Sequence, residues 1–180
     1  HATELGLIER AVECGFTSVM FDGSQLPFEE NIRRTKAAVD IAYPHGVAVE
    51  AELGHVGGAD LDETQHVESV LTEPDEVVRF VEQTGVAALA VSIGTSHGVY
   101  RSLPTLNIDR LRELNAASPV PLVLHGGSGT PDEQIREAVA EGICKLNVFT
   151  DQREAMFRGL KQSAEQDRRD PLPKQIFDPI

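Results

Sequence analysis

Tryptophan is absent from the 180 residues, and aromatic side chains make up only 5% of them. A core without large rings must rest on Val, Leu, Ile and Ala, the palette of buried parallel strands wrapped by helices. Cysteine is almost as scarce. Cys14 and Cys144 have no CxxC neighbour and no disulfide framework, so they read as small buried hydrophobes in a reducing compartment. No apolar run reaches the length of a membrane span and no signal peptide is visible, which makes a soluble cytoplasmic domain the default. Positive charge is also in deficit, with a formal net charge of −13. That balance excludes a nucleic-acid surface, which needs Lys and Arg to release counterions. A small anionic substrate stays open, because a few local donors can reverse the field inside one pocket.

What is present suffices for one core. A hydrophobic content of 41% fits a single domain over residues 1–180. The chain opens on His1 without an initiator Met, and the next residues already read as the start of a helix. We therefore expect the natural protein to be longer at its N-terminus.

Strand-like runs cover Thr17–Asp22, Val47–Leu53, Ala87–Ile93, Val120–His125 and Ile143–Phe149. Amphipathic segments surround Thr3–Cys14, Pro27–Ala42, Pro74–Thr84, Ile108–Ala117, Pro131–Glu141 and Gln152–Gln166. Thr130-Pro131-Asp132-Glu133 offers an N-cap, a first-turn proline and a capping-box glutamate, and Thr72-Glu73-Pro74-Asp75 has a similar form. Gly15, Gly85 and Gly142 each follow a helix, where a C-cap glycine belongs. The alternation implies βαβ units and a parallel sheet. Each strand ends in a polar or glycine-rich group, and a barrel gathers such ends on one face, whereas an open sheet spreads them along a line. The expected fold is thus an incomplete (β/α)8 barrel, since a complete one needs about 250 residues. It would hold strands four to eight, with His1 at the tip of strand three.

Three histidines stand out. His97 and His125 end strands beside glycine, where the imidazole points into the rim, and His1 does likewise if it closes strand three. Three neutral imidazoles with an open position suit a catalytic Zn²⁺. His45, His55 and His66 lack this setting and read as exposed. Gly126-Gly127-Ser128-Gly129 and Asn147-Val148-Phe149-Thr150 follow the last two strands. Their backbone N–H groups, next to helix N-termini, make an anion nest suited to phosphate. The alternative is that the glycines serve only tight βα turns. Asp22 and Glu52 lie at strand ends and read as rim residues that bind metal or order the histidines. Glu50 shares the parity of Glu52. The segment Gly57–Glu63 reads as a mobile loop whose acids either donate and accept protons over substrate or are merely solvated.

Five segments carry a resemblance: SVMFDGSQLPFEENI, VEAELGHVGG, AVSIGTSHGVY, PLVLHGGSG and KLNVFTD. In this order and spacing, over roughly Ala2 to Asp151, the chain resembles class II fructose-bisphosphate and tagatose-bisphosphate aldolases. The resemblance implies a zinc site at His1, His97 and His125, with Asp22 and Glu52 at an alternative or second metal position. It implies a dihydroxyacetone-phosphate site at Gly98, Gly126, Gly127, Ser128, Asn147 and Thr150, and a monovalent cation held partly by backbone around the GTSHG and HGG turns. Asp60 would be the loop acid, one methylene shorter than the family's frequent glutamate, with Asp62 and Glu63 nearby; Glu52 would also act in catalysis. The implied reaction is reversible aldol cleavage of a ketose 1,6-bisphosphate to dihydroxyacetone phosphate and glyceraldehyde 3-phosphate, a step of carbohydrate metabolism of the glycolytic kind, in a homodimer or homotetramer. Two departures stand beside it. The family's aspartate before the first zinc histidine has no counterpart, because nothing precedes His1. The tail after about residue 166, with Asp170-Pro171-Leu172-Pro173, matches none of the family's final helices. Two rivals remain, a Schiff-base aldolase with Lys145 as nucleophile and an inactive metal- or phosphosugar-binding remnant; within the family, cleavage of a related phosphorylated ketose or deoxy-ketogluconate also stays open.

Overall fold

A computed structural model describes residues 1–57, 69–96 and 104–165. Five strands, β1 (Ser18–Phe21), β2 (Ala48–Leu53), β3 (Ala88–Val91), β4 (Leu122–Leu124) and β5 (Ile143–Leu146), form one sheet. All pairings are parallel and the spatial order is the sequence order, β1-β2-β3-β4-β5. A doubly wound sheet reverses its order at a switch point. This sheet never does, so it winds in one direction, as a barrel wall does.

Among the described residues six α-helices link and follow the strands: α1 (Leu5–Glu13), α2 (Phe28–Ala42), α3 (Pro74–Thr84), α4 (Ile108–Ala117), α5 (Asp132–Ala140) and α6 (Thr150–Ala164). The bounds of α3 and α4 are those read from sequence. Pro74 opens α3, and Gly85 closes it at φ 72°, a left-handed conformation that costs glycine little. Asn107 caps α4, its side chain accepting the Arg110 N–H. Two expected caps are corrected. Thr130 makes no cap on α5, whose N-cap position is Pro131. Thr72 does not cap α3 either; its hydroxyl donates to the Leu53 carbonyl and accepts the Ser92 N–H, stitching the ends of β2 and β3 together.

Alternation along the strands separates two faces. Val19, Phe21, Val49, Ala51, Leu53, Leu89, Val91, Leu122, Leu124 and Ile143 pack with Ile8, Ile32, Val39, Val77, Phe80, Leu111 and Leu114 of the helices into one apolar core. The opposite parity row, Glu52, Ala90, Val123 and Lys145 in mutual register, faces the inner side. Across that inner side Lys145 Nζ of β5 reaches to 2.7 Å from Glu50 Oε2 of β2, three strands away.

Cys14 and Cys144 are both exposed, not buried. Cys14 lies at the C-cap of α1 and Cys144 on the edge strand β5, so neither position has a second layer over it. Phe80 is fully buried and its ring centroid lies 6.2 Å from that of Phe28. Phe80→Ala is expected to cost about 3–5 kcal/mol through lost burial and the cavity left behind, read from the urea midpoint at unchanged slope.

Candidate metal centre

β2 presents Glu50 and Glu52 on the inner face, and β4 runs out into His125, whose side chain is completely buried. Between them β3 carries only Ala88 and Ala90 at inner-face positions, with Ser92 just past its end, so nothing bulky separates the acids from the imidazole. His125 Nδ1 lies 3.0 Å from Glu52 Oε2, and its Nε2 lies 2.9 Å from Glu50 Oε1. Burial alone would push the imidazole pKa down. The hydrogen bonds to Glu50 and Glu52, with their charges, outweigh that and raise it. Burial likewise works to raise the Glu50 pKa, but hydrogen bonds from His125 and Lys145 prevail and hold it below the usual carboxylate range.

The N-terminal residues complete the cluster. Ala2 pairs in parallel with Phe21, donating its N–H to Met20 O at 3.2 Å and accepting the Asp22 N–H at 2.8 Å. Residues 1–2 thus lie beside β1 as the tip of a further parallel strand. His1 Nδ1 is 2.9 Å from Asp22 Oδ2, while Asp22 Oδ1 accepts the Ser24 N–H at 3.0 Å. The His1 and His125 rings meet edge to face with centroids 4.6 Å apart. Ligand atoms of His1, Glu52 and His125 all lie within 4.8 Å of one another. Two imidazole nitrogens and a carboxylate oxygen are a donor set that Zn²⁺ and similar divalent ions accept. Three acids, Asp22, Glu50 and Glu52, crowd the same wall, and a divalent cation would offset their charge. The residues present fit a metal.

His97, Gly98 and Asp60 lie outside the described residues, as do Asp62, Glu63 and His66. The chain leading to His97 is placed up to Ser96. Its backbone presses on Gly126, where an added Cβ would stand 2.6 Å from Ser96 O. His45 is exposed as expected, but His55 is not. Its side chain is only 13% exposed, hydrogen-bonded to Ser24 Oγ at 2.9 Å and 3.9 Å from Glu52 Oε1. The signal was Gly54 directly before it: a histidine just past a strand-end glycine folds back toward the rim. Glu50, whose only mark in the sequence is its shared parity with Glu52, is a further member of the cluster.

The glycine-rich loops behave in a more specific way than a bare amide nest. The N–H groups of Gly127 and Asn147 donate to the carbonyls of Asn147 and Leu124, and that of Gly129 to Asp151 Oδ2. Ser128 is buried, and its hydroxyl oxygen accepts the N–H groups of Phe149 (3.1 Å) and Asp151 (3.2 Å). This hydroxyl caps α6 from a neighbouring loop, which accounts for α6 starting at Thr150 rather than Gln152. With both lone pairs engaged, the Ser128 O–H proton is left to donate. Val148 and Phe149 are exposed, and Asn147 and Thr150 half-buried. Ser128→Ala would strand two helix N–H groups, and we expect a loss of about 0.5–2 kcal/mol, the usual cost of a lost cap, measurable by thermal unfolding.

Lys145 does not resemble a Schiff-base nucleophile. Its side chain is 53% exposed and its ammonium is ion-paired with Glu50, the reverse of a desolvated amine. Among the described residues no helix is long and apolar enough to cross a membrane.

The chain is 42% identical over 163 residues to the sulfofructosephosphate aldolase of Alkalicoccus urumqiensis, covering 90% of this chain and 57% of that protein. It is 44% identical over 166 residues to YdjI of Escherichia coli K12, covering 92% and 60% of the two. The crystal structure of the YdjI aldolase superposes with a TM-score of 0.83 at 40% identity, over 99% of this chain and 61% of that one. Fructose-bisphosphate aldolase from Campylobacter jejuni does so at 0.69 and 26%, over 97% and 59%. The chain therefore spans about 60% of the length of the relatives it matches, and its sheet is an incomplete (β/α)8 barrel. The pattern of the family described as fructose-bisphosphate aldolase class-II matches residues 1–179, and the chain belongs to that family.

Proposed function

We propose that this protein is a zinc-dependent aldolase that reversibly cleaves a phosphorylated ketose, with a ketose 1,6-bisphosphate yielding dihydroxyacetone phosphate and glyceraldehyde 3-phosphate as the leading substrate. The observation that carries the reading is the meeting of His1, His125 and Glu52 within 4.8 Å on the inner wall of the sheet. His1, His97 and His125 would hold the ion, with Asp22 and Glu52 as its alternative or neighbouring ligands. A bound Zn²⁺ supplies Lewis-acid polarisation of the substrate's oxygens.

The chain's own residues do the rest. Asp22 orients His1 through Nδ1. Gly98, Gly126, Gly127, Ser128, Asn147, Val148, Phe149 and Thr150 would hold the phosphate, and the Ser128 hydroxyl is poised to donate because it already accepts twice. Fixing the phosphate fixes the three-carbon unit against the metal, which converts an encounter into a near-unimolecular step. Asp60 would move the proton at carbon. A monovalent cation near the Gly126 turn, a homo-oligomeric state, and a cytoplasmic place in carbohydrate metabolism of the glycolytic kind belong to the same proposal. The relative from Alkalicoccus urumqiensis is named for sulfofructosephosphate, so a sulfonated ketose phosphate is the second substrate to try.

The test is a triose-phosphate release assay on the zinc-loaded chain with fructose 1,6-bisphosphate, tagatose 1,6-bisphosphate and a sulfofructose phosphate. Turnover that a chelator abolishes and zinc restores supports the reading. A chain that binds zinc yet cleaves none of the three is a metal-binding remnant, and the proposal fails.

A further inference from the structure

Glu50 and Lys145 have no part in the proposed ligand set, yet they are joined to it by short contacts. Lys145 Nζ is 2.7 Å from Glu50 Oε2, and the other oxygen of that carboxylate is 2.9 Å from His125 Nε2. The Glu50 side chain is 7% exposed and that of His125 fully buried. A carboxylate so placed is costly unless both oxygens are partnered, and here both are. The opposite ring nitrogen, Nδ1, faces Glu52. Glu52, in turn, is the acid grouped with His1 and His125.

We propose that Glu50 and Lys145 are positioning residues for the metal centre: Lys145 pins Glu50, and Glu50 holds His125 by Nε2–H so that Nδ1 is the nitrogen offered to the ion. The inference rests on the metal-site reading above. A metal-bound histidine commonly donates its second N–H to a carboxylate, which fixes the tautomer and ring orientation, and loss of that partner weakens metal affinity about 10- to 100-fold. The lysine adds a third member. Without it the Glu50 carboxylate has one oxygen unpartnered on the inner face and is free to swing off the imidazole. The three groups come from β2, the end of β4 and β5, so the relay also ties the metal ligand to the edge strand.

The experiment measures Co²⁺ and Zn²⁺ affinity by chelator competition, with the cobalt d–d spectrum as a reporter of coordination. The proteins are the full chain and its Glu50→Gln, Lys145→Met and Lys145→Arg variants. Expected are a 10- to 100-fold loss for Glu50→Gln with an altered cobalt spectrum, a smaller loss for Lys145→Met, and recovery in Lys145→Arg. Unchanged affinity and spectrum in Glu50→Gln and Lys145→Met overturn the inference while leaving the metal site standing. Failure of the unmodified chain to bind either ion overturns the metal reading itself. If Glu50→Gln does not fold, the half-exposed Lys145 pair decides: a loss in Met that Arg rescues supports the relay, and no difference between them overturns it.

Discussion

Replacing His125 with alanine is expected to abolish zinc binding and triose-phosphate release together, and to destabilise the metal-free chain by about 3–5 kcal/mol. The second effect distinguishes it from a simple ligand deletion. His125 is fully buried between Glu50 and Glu52, with one carboxylate on each ring nitrogen. Its removal leaves a cavity and two neighbouring acids; Glu50 keeps Lys145 as a cationic partner, while Glu52 retains the more distant His55 ring at 3.9 Å. Breaking a buried pair by removing one partner leaves an uncompensated charge. Against a typical total of about 5–15 kcal/mol, that loss brings the chain near its folding threshold. Chelator competition gives the first result and denaturant unfolding of the apo protein the second. Zinc affinity within a few-fold of the unmodified chain would remove His125 from the site.

Gly126→Ala is expected to be nearly as damaging, although it deletes nothing. Gly126 has φ 66°, a left-handed conformation that costs an L-residue roughly 1–2 kcal/mol. An added Cβ would also stand 2.6 Å from Ser96 O, 2.9 Å from Ser96 C and 3.2 Å from Ser96 N. These are backbone atoms, so no rotamer change relieves the collision. The turn after His125 and the chain entering His97 must move apart. We expect a loss of more than about 2 kcal/mol, since overpacking typically adds about 1–3 kcal/mol to the backbone strain, together with weakened metal binding. Unfolding and chelator competition on one preparation test both. A variant as stable as the parent would show that Ser96 yields easily.

The architecture was largely legible because its punctuation is local. Pro74 and Gly85 bracket α3, and Asn107 starts α4, so those bounds need no tertiary information. His125, a strand-end histidine beside glycine, and His1, read as the tip of a further strand, do meet. The strands came out shorter than their apolar runs, since pairing stops where the chain turns into a rim loop; β4 keeps only Leu122–Leu124. What stayed hidden depends on neighbours distant in sequence. Ser128 reads as a phosphate ligand alone, with no sign that its hydroxyl oxygen also serves the start of α6. Thr72 looked like a cap, but it bridges two strands. Glu50 showed only a shared parity with Glu52, yet the two acids take opposite nitrogens of one imidazole. Both cysteines were misread because their low frequency says nothing of a helix end or a sheet edge.

The charged groups on the inner wall also impose an order in time. Glu52 is synthesised 73 residues ahead of His125, and Glu50 is 95 ahead of Lys145. At a translation rate of about 5–20 residues per second, each acid waits roughly 4–19 s for its counterpart to leave the ribosome. In that interval hydration must stand in for the later partners, beyond the local Val56 N–H that Glu52 accepts, so the nascent sheet must keep its inner side wet until the fifth strand arrives.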